Sequence, residues 1–247
     1  MKKFCHKVLS NEEIPKKQDD LVRLSLKNQI EEKLKRFSEP INSKTIFIKN
    51  EDDLKNFYLN NKDIKINPNG YLNVYNNQGW KFGELGIWAS NLLAWKDFAK
   101  SDYDYLIIFE DDIKLLKNFT DLLPKYIDSL PNDWELLGLY STPLDDLNYK
   151  KEYDIEKNNF VCHSFHYLNL AAYVINKHAI FKILEKIKTP INEPIDVYLF
   201  THPRKFNSFD IRLDAEKIVK RNDRLVSTFQ NHHKVLIMKC LEDKEVI

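Results

Sequence analysis

The stretch YLIIFEDD, from Tyr105 to Asp112, decides how this chain folds. Its first five residues are almost entirely apolar and of strand length, as expected for a central strand covered on both faces of a sheet. The strand ends abruptly in three acids, Glu110, Asp111 and Asp112. Open α/β folds bind ligands at the carboxyl ends of their strands. The three carboxylates are therefore predicted to lie at a ligand site.

Helices and strands alternate on the N-terminal side of this strand. The clearest helix, Gly83 to Lys100, carries a broad apolar stripe and is expected to be well buried. Before it, the residue patterns predict strands at Phe4 to Leu9 and Thr45 to Ile48, and helices at Asp19 to Phe37 and Glu51 to Tyr58. This alternation predicts the α/β class.

The segments after the acids are less regular. The patterns predict helices at Phe119 to Leu130 and His178 to Ile187, a strand at Trp134 to Tyr140, two short strands within Phe160 to Ile175, and a short helix or strand at Ile195 to Phe200. Pro124 is expected to lie in the first turn of its helix or to kink it. The sequence contains no internal repeat and no compositional break, which predicts a single domain over residues 1–247.

Three adjacent acids need a positive partner. Like charges this close raise each other's pKa, and a divalent cation is a simple way to keep them ionised together. Mg²⁺ and Mn²⁺ prefer oxygen ligands, and such ions usually complete their coordination with water and substrate phosphates. The cluster therefore predicts a metal that binds a diphosphate. The alternative is that Asp111 and Asp112 cap the next helix, which is a common position for Asp.

Bulk composition excludes some partners. The 38 Lys and Arg residues nearly balance the 37 Asp and Glu residues, so no long-range field favours nucleic acid. The 3 cysteines are widely spaced, which favours a reducing compartment over a disulfide framework. No apolar run suggests a signal peptide or a transmembrane span. We expect a cytoplasmic protein with at most peripheral membrane contact.

Four segments around the acids share the order and spacing of a known family. They are Gly83 to Asn91 (GELGIWASN) with Trp95-Lys96, Tyr105 to Asp112, Ala171 to Ala179 (AAYVINKHA), and Pro194-Ile195-Asp196. Together they resemble the core of glycosyltransferase family 25, which includes lipooligosaccharide and collagen galactosyltransferases. The resemblance extends over roughly Trp80 to Gln230.

The resemblance implies a GT-A fold, which is a Rossmann-like, mixed, mostly parallel sheet flanked by helices. It also implies a UDP-sugar donor, Mn²⁺ or Mg²⁺, a glycan or glycolipid acceptor, and inversion at the anomeric carbon. The donor half would be about residues 1–115 and the acceptor half about 116–247. Three positions depart from the family pattern: Lys7 to Ser10 replaces an Ile-Asn-Leu-Asp-Arg signature, Asn91 replaces a histidine, and Ala171 or Ala172 replaces a glycine.

The matched positions imply roles for the acids. Asp112 is the first candidate for the metal ligand, while Glu110 and Asp111 would bind the metal through water or hold the ribose. Asp196 is the candidate general base, because an acceptor hydroxyl must lose its proton to a carboxylate within reach. The alternative for Asp196 is a helix cap after Pro194.

Other candidates surround this set. Glu84 would orient donor hydroxyls or stabilise the helix dipole, and Gly83 would contact the donor. Trp80 and Tyr71 would stack on the sugar or uracil ring of the donor, and the alternative for both is packing in the core. His232, or its neighbour His233, is a candidate late metal ligand.

The sequence leaves three functions open. The leading one is a metal-dependent hexosyltransferase that uses UDP-galactose or UDP-glucose. A metal-dependent phosphoesterase or nuclease would use similar carboxylates to activate water. A glycosyltransferase-like binding module would keep the fold without turnover. The stretches Ser141 to Asn159 and Thr201 to Asp214, which includes Arg204 and Lys205, are candidates for acceptor or diphosphate contacts.

Overall fold

The structure is a computed structural model that describes residues 2–10, 18–62, 81–142, 161–163, 168–187, 191–201, 205–211 and 216–222. Its strands are β1 (Phe4–Leu9), β2 (Glu39–Pro40), β3 (Tyr105–Glu110), β4 (Ile113–Leu115), β5 (Leu136–Thr142), β6 (Val161–His163), β7 (Leu168–Asn176), β8 (Ser208–Ile211) and β9 (Val219–Arg221). Its helices are α1 (Gln18–Leu34), α2 (Glu51–Asn60), α3 (Phe82–Lys100), α4 (Phe119–Asp128), α5 (Lys177–Lys186) and a π-helix (Val197–Thr201).

A mixed 7-stranded sheet with the order β2-β1-β3-β7-β5-β8-β6 organises the fold. β1 pairs in parallel with β2 and β3, and β5 pairs in parallel with β8. β7 runs antiparallel between β3 and β5, and β6 runs antiparallel to β8. β4 and β9 form a separate 2-stranded antiparallel sheet. The predicted α/β class with a mixed sheet is confirmed.

The central strand is covered on both faces, as predicted. Leu106 and Ile108 pack in one core with α2, α3, α5 and the π-helix. Ile107 and Phe109 point to the other face and pack in a second core with α1 and α4. Side chains alternate along a strand, so one apolar run supplies both cores. By the same alternation, Glu110 projects towards the face that α3 covers.

Most helices begin and end near their predicted bounds. In α1, however, two of the leucines whose spacing predicted the helix are exposed. Leu21 and Leu24 were counted on its apolar face, yet they are 53% and 40% exposed. The buried face instead consists of Arg23, Leu26, Ile30 and Leu34. The exposed leucines lie off this face, so the helix is rotated from the predicted orientation.

Two local predictions were wrong. Thr45 to Ile48 is not a strand. The Ser90 hydroxyl of α3 accepts a hydrogen bond from the Ile46 amide over 2.8 Å and donates one to the Ile46 carbonyl over 3.2 Å, and these bonds hold the segment on the helix. Asp111 and Asp112 do not cap a helix, since they form a turn into β4 and the next helix begins only at Phe119.

Two further segments differ in detail. Pro124 lies inside α4, beyond its first turn. The region predicted to hold two short strands contains β6, with 3 residues, and most of β7, which has 9. β7 is long because it pairs with both β3 and β5, and a strand with two partners gains ladder hydrogen bonds on each side.

Candidate active site

The carboxyl end of β3 is the point where the candidate residues converge. Glu110 ends β3 opposite Leu9, which ends β1. α3 runs antiparallel to β3. Asn91 of α3 contacts Tyr173, which pairs with Ile108 near the carboxyl end of β3. Further along α3, the Phe98 carbonyl accepts from Lys177, which lies just beyond the amino end of β3. The first turn of α3, with Gly83 and Glu84, therefore lies towards the edge that carries Glu110.

Glu110 is held in an environment that disfavours its charge. Its side chain is only 14% exposed. Burial, followed by the charges of Asp112, Asp111 and Asp196, raises the pKa of Glu110 to about 8, although the Arg221 guanidinium opposes the shift. A carboxyl with a pKa this high is largely protonated at neutral pH unless a cation arrives. A bound cation would restore its ionised form.

Asp111 turns to the opposite face and forms a buried ion pair with Arg23 of α1. The side chains of Arg23 and Asp111 are 6% and 2% exposed. A carboxylate paired in this way ties α1 to the end of β3. The predicted role of Asp111 in holding the ribose stays a prediction, and this ion pair is a structural role that the sequence did not suggest.

Asp112 is held by two hydrogen bonds from the end of β9. Its Oδ2 accepts a hydrogen bond from Arg221 Nε over 2.8 Å, and its carbonyl oxygen accepts from the Asn222 amide over 2.8 Å. Asp112 is 1% exposed, and its Oδ1 is buried without a hydrogen-bond partner among the residues described. Buried carboxylate oxygens are normally satisfied, so this atom is a ready ligand for a cation.

Asp196 lies beside this cluster, close enough for its charge to raise the pKa of Glu110. It belongs to the first helical turn that leads into the π-helix, and its Oδ1 accepts from the adjacent Val197 amide over 2.9 Å. A helix cap accepts from an amide two or three residues further on, so this bond is not a standard cap. π-Helical turns frequently occur at functional sites.

The N-terminus of α3 supplies two more of the described candidates, whereas the candidate Lys205 forms an ion pair with Glu193. Glu84 Oε2 accepts from the Lys81 amide over 2.9 Å, which satisfies the backbone donor of the residue that caps α3. This is the helix-stabilising alternative for Glu84, and its role towards donor hydroxyls stays a prediction. Gly83 is buried in the same turn. Five other candidates lie outside the described residues: Trp80, Tyr71, Arg204, His232 and His233.

The chemistry of this donor set fits a hard divalent cation. Asp112 Oδ1 and the Glu110 carboxyl offer oxygen ligands at the carboxyl end of β3. Mg²⁺ or Mn²⁺ sites often use only one or two carboxylates together with phosphates and water. Among the described residues, no group of three or more His, Cys, Asp and Glu side chains is arranged to hold a metal. A substrate diphosphate would therefore have to complete the coordination.

A fully buried hydrogen-bond chain packs on the same face of the sheet as Glu110. Tyr173 donates to Asn91 Oδ1 and accepts from Trp95 Nε1 over 3.2 Å, while Asn91 Nδ2 donates to the Ile87 carbonyl over 2.8 Å. Burial raises the pKa of Tyr173 well above its ordinary value, and the nearby Glu110 charge adds to the effect. Asn91, which departs from the family pattern, is thus a satisfied partner of Tyr173.

Sequence reasoning missed the two arginines that neutralise the acids. Arg23 gave a weak signal, since it takes an apolar position three residues before Leu26 on the buried face of α1. Arg221 gave none, because it stands in a short polar stretch near the least regular part of the sequence. Both contacts join residues far apart in the chain.

A cavity of about 580 Å³ lies elsewhere in the fold. Its lining includes Glu135 and Asn176, which adjoin the start of β5 and the end of β7. Asn176 pairs with Tyr105, the first residue of β3. The cavity therefore lies at the amino end of β3, and Glu110 lies at its carboxyl end. Glu135 is satisfied there by Lys182, at 2.7 and 2.8 Å, and by the Asn207 amide. The lining contains none of the predicted donor, metal or general-base residues, although Phe206 and Asn207 belong to the stretch Thr201 to Asp214 that was predicted to contact the acceptor or diphosphate.

Comparison with known sequences settles the family. The sequence profile of glycosyltransferase family 25, described as LPS biosynthesis protein, matches residues 24–199. The chain belongs to glycosyltransferase family 25. The matched region contains Gly83, Glu84, the three acids and Asp196. Membership favours a glycosyltransferase over the phosphoesterase or nuclease alternative.

Individual relatives of this family 25 glycosyltransferase are distant. Human procollagen galactosyltransferase 2 is 28% identical over 78 residues, which is 30% of this chain and 12% of that protein. Among solved structures, a glycosyltransferase involved in glycosylation of the major capsid of PBCV-1 has a TM-score of 0.37 at 12% identity, with 81% of this chain and 78% of that chain covered. A mutant of Drosophila β-1,4-galactosyltransferase 7 in complex with manganese, UDP-Gal and xylobiose has a TM-score of 0.32 at 12% identity, covering 85% and 70%. Similarity at this level identifies no corresponding residues.

None of the described helices of this family 25 member is both long and apolar enough to cross a bilayer.

Proposed function

We propose that this protein is a metal-dependent, inverting glycosyltransferase that moves a hexose, galactose or glucose, from a UDP-sugar to a hydroxyl of a glycan or glycolipid. The observation that carries the proposal is the buried Oδ1 of Asp112, which has no hydrogen-bond partner within the described part of the chain and lies beside Glu110, with Asp196 near enough to act on Glu110 electrostatically. Family membership supports the transferase chemistry.

The donor side depends on the residues at the end of β3. Asp112 would hold the divalent cation through Oδ1, with Glu110 as a second ligand and His232 as a further candidate. When bound, the cation supplies charge neutralisation to the departing diphosphate. Glu84 and Gly83, in the first turn of α3, lie towards the carboxyl end of β3. The positive end of the α3 dipole there favours an anionic donor.

The acceptor side depends on Asp196. Its carboxylate would take the proton of the acceptor hydroxyl as that oxygen attacks the anomeric carbon. The new carbon–oxygen bond forms on the face opposite the breaking bond, and UDP leaves with the electron pair of that bond. Protonated Asp196 then releases its proton to solvent. The half-buried position of Asp196 leaves it accessible to an acceptor from one side.

The direct test measures UDP release from a panel of UDP-sugars with and without Mn²⁺, together with the thermal shift that each donor produces. We expect at least one UDP-hexose to be turned over only with the metal. Asp112→Asn should lower turnover at least about 100-fold, whereas Asp52→Asn, at a carboxylate with an 86% exposed side chain, should not change it.

Each component of the proposal has its own contrary result. Turnover that persists after chelation would remove the metal requirement. Donor binding without UDP release, even with broad acceptor panels, would favour the binding module. Retention of the anomeric configuration in the product, read by NMR coupling constants, would contradict inversion and the role given to Asp196.

A further inference from the structure

Arg221 is brought to the acidic cluster by the small second sheet. It ends β9, where its backbone pairs with Ile113, the residue directly after Asp112. The following amide, of Asn222, donates to the Asp112 carbonyl over 2.8 Å. The end of β9 therefore fixes the main chain at Asp112 before any side-chain contact is considered.

The Arg221 side chain then contacts two of the three acids. Its Nε donates to Asp112 Oδ2 over 2.8 Å, and its Nη2 lies 3.8 Å from Glu110 Oε2. The Arg221 side chain is 15% exposed, so these contacts are largely shielded from solvent. A planar guanidinium can span two carboxylates with its fixed fork of donors, which a lysine ammonium cannot reproduce.

The two carboxylate oxygens of Asp112 differ in their hydrogen bonding. Oδ2 is occupied by Arg221, and Oδ1 is buried without a hydrogen-bond partner among the described residues. Rotation of the carboxylate would break the bond to Nε, so the orientation that presents Oδ1 is maintained. Carboxylates that bind metals are commonly oriented by such outer hydrogen bonds, and loss of the outer partner typically weakens metal affinity about 10- to 100-fold.

We propose that Arg221 is a positioning residue that holds Oδ2 of Asp112 so that Oδ1 is presented to the divalent cation. The inference rests on the proposed function, because it presumes that Asp112 binds that cation. In this role Arg221 would act through Asp112 and not by contact with the donor or the cation.

The test is the Mn²⁺ affinity of the full chain in the presence of UDP, measured from the free Mn²⁺ signal by electron paramagnetic resonance. Arg221→Gln should weaken Mn²⁺ binding about 10- to 100-fold. Arg221→Lys keeps the charge and loses the fork, and it should also weaken binding. Lys220→Gln, at the exposed neighbouring position on β9, is the matched control and should leave the affinity unchanged.

The outcomes separate this inference from the proposed function. If the wild-type protein binds Mn²⁺ and both Arg221 variants bind it equally well, Arg221 is only structural and the inference fails alone. Tighter binding by Arg221→Gln would mean that the guanidinium competes with the metal, which also overturns it. A wild-type protein with no measurable Mn²⁺ binding would overturn both. If Arg221→Gln does not fold, the Arg221→Lys affinity decides.

Discussion

The Trp95 indole donates to the Tyr173 hydroxyl over 3.2 Å, and both side chains are fully buried between α3 and the central sheet. Tyr173 also donates to Asn91, so its hydroxyl is the middle of a three-residue chain. This chain connects the helix that carries Gly83 and Glu84 to the strand beside Glu110. The relative position of these two elements should therefore depend on one hydroxyl group.

Tyr173→Phe removes that hydroxyl. It leaves the Trp95 donor and the Asn91 acceptor unsatisfied in the core, which costs about 1–3 kcal/mol in the free energy of unfolding. Urea denaturation followed by circular dichroism measures the change. Tyr103→Phe removes a hydroxyl from a half-buried ring outside this chain and should cost much less. Equal effects of the two substitutions would contradict the importance of the chain.

Arg23→Met is expected to destabilise the protein strongly. It breaks a buried ion pair by removing the cation that contacts Asp111, and losses of about 3–5 kcal/mol are typical of such changes. Lys55→Met breaks an exposed pair with Asp52 and should cost less than about 1 kcal/mol. Thermal and urea unfolding of both variants measure the difference. A small effect at Arg23 would show that Asp111 is not held mainly by this ion pair.

Buried His6 should make stability depend on pH. Burial lowers the pKa of His6, partly offset by Glu31, and its Nδ1 lies 2.8 Å from the Ser38 hydroxyl. The unfolded chain therefore binds a proton more readily than the folded protein. Stability is present above the unfolded pKa of about 6.5 and is lost as the pH falls below it, with a slope of at most about 1.4 kcal/mol per pH unit from this group.

The measurement is the unfolding free energy between pH 7.5 and pH 5. His6→Gln should flatten its decline over this range, while His178→Gln, at an exposed position, should leave the decline as it is. If the wild-type and His6→Gln curves run parallel, His6 is not the source of the pH dependence.

Cys5 should resist alkylation in the folded protein. Burial raises the pKa of its thiol to about 12, although the Lys177 charge opposes this shift, and its side chain is fully buried in β1. At pH 8 only a very small fraction is the reactive thiolate, and the sulfur is inaccessible. Iodoacetamide labelling followed by peptide mass analysis should find Cys5 unmodified in buffer and modified in urea. Rapid labelling in buffer would show that β1 opens readily.

Several features of this protein follow from the sequence alone. The run from Tyr105 to Phe109 places apolar side chains on both faces of its strand, which predicts helices on each side of the sheet. The structure has helices on both sides. The position of Glu110, Asp111 and Asp112 at the strand end followed from chain order. The family pattern could likewise be read from short segments with fixed spacing, and it is confirmed over residues 24–199.

Only the tertiary structure decided which charges meet. Asp111 is neutralised by Arg23, 88 residues earlier, and Asp112 by Arg221, 109 residues later. Local periodicity does not report such pairs, because they depend on how α1 and β9 pack against the end of β3. The same packing turned Leu21 and Leu24 outward and held Thr45 to Ile48 on α3 rather than in the sheet. Burial of a charged group depends on its distant neighbours, and those are set by the assembled fold.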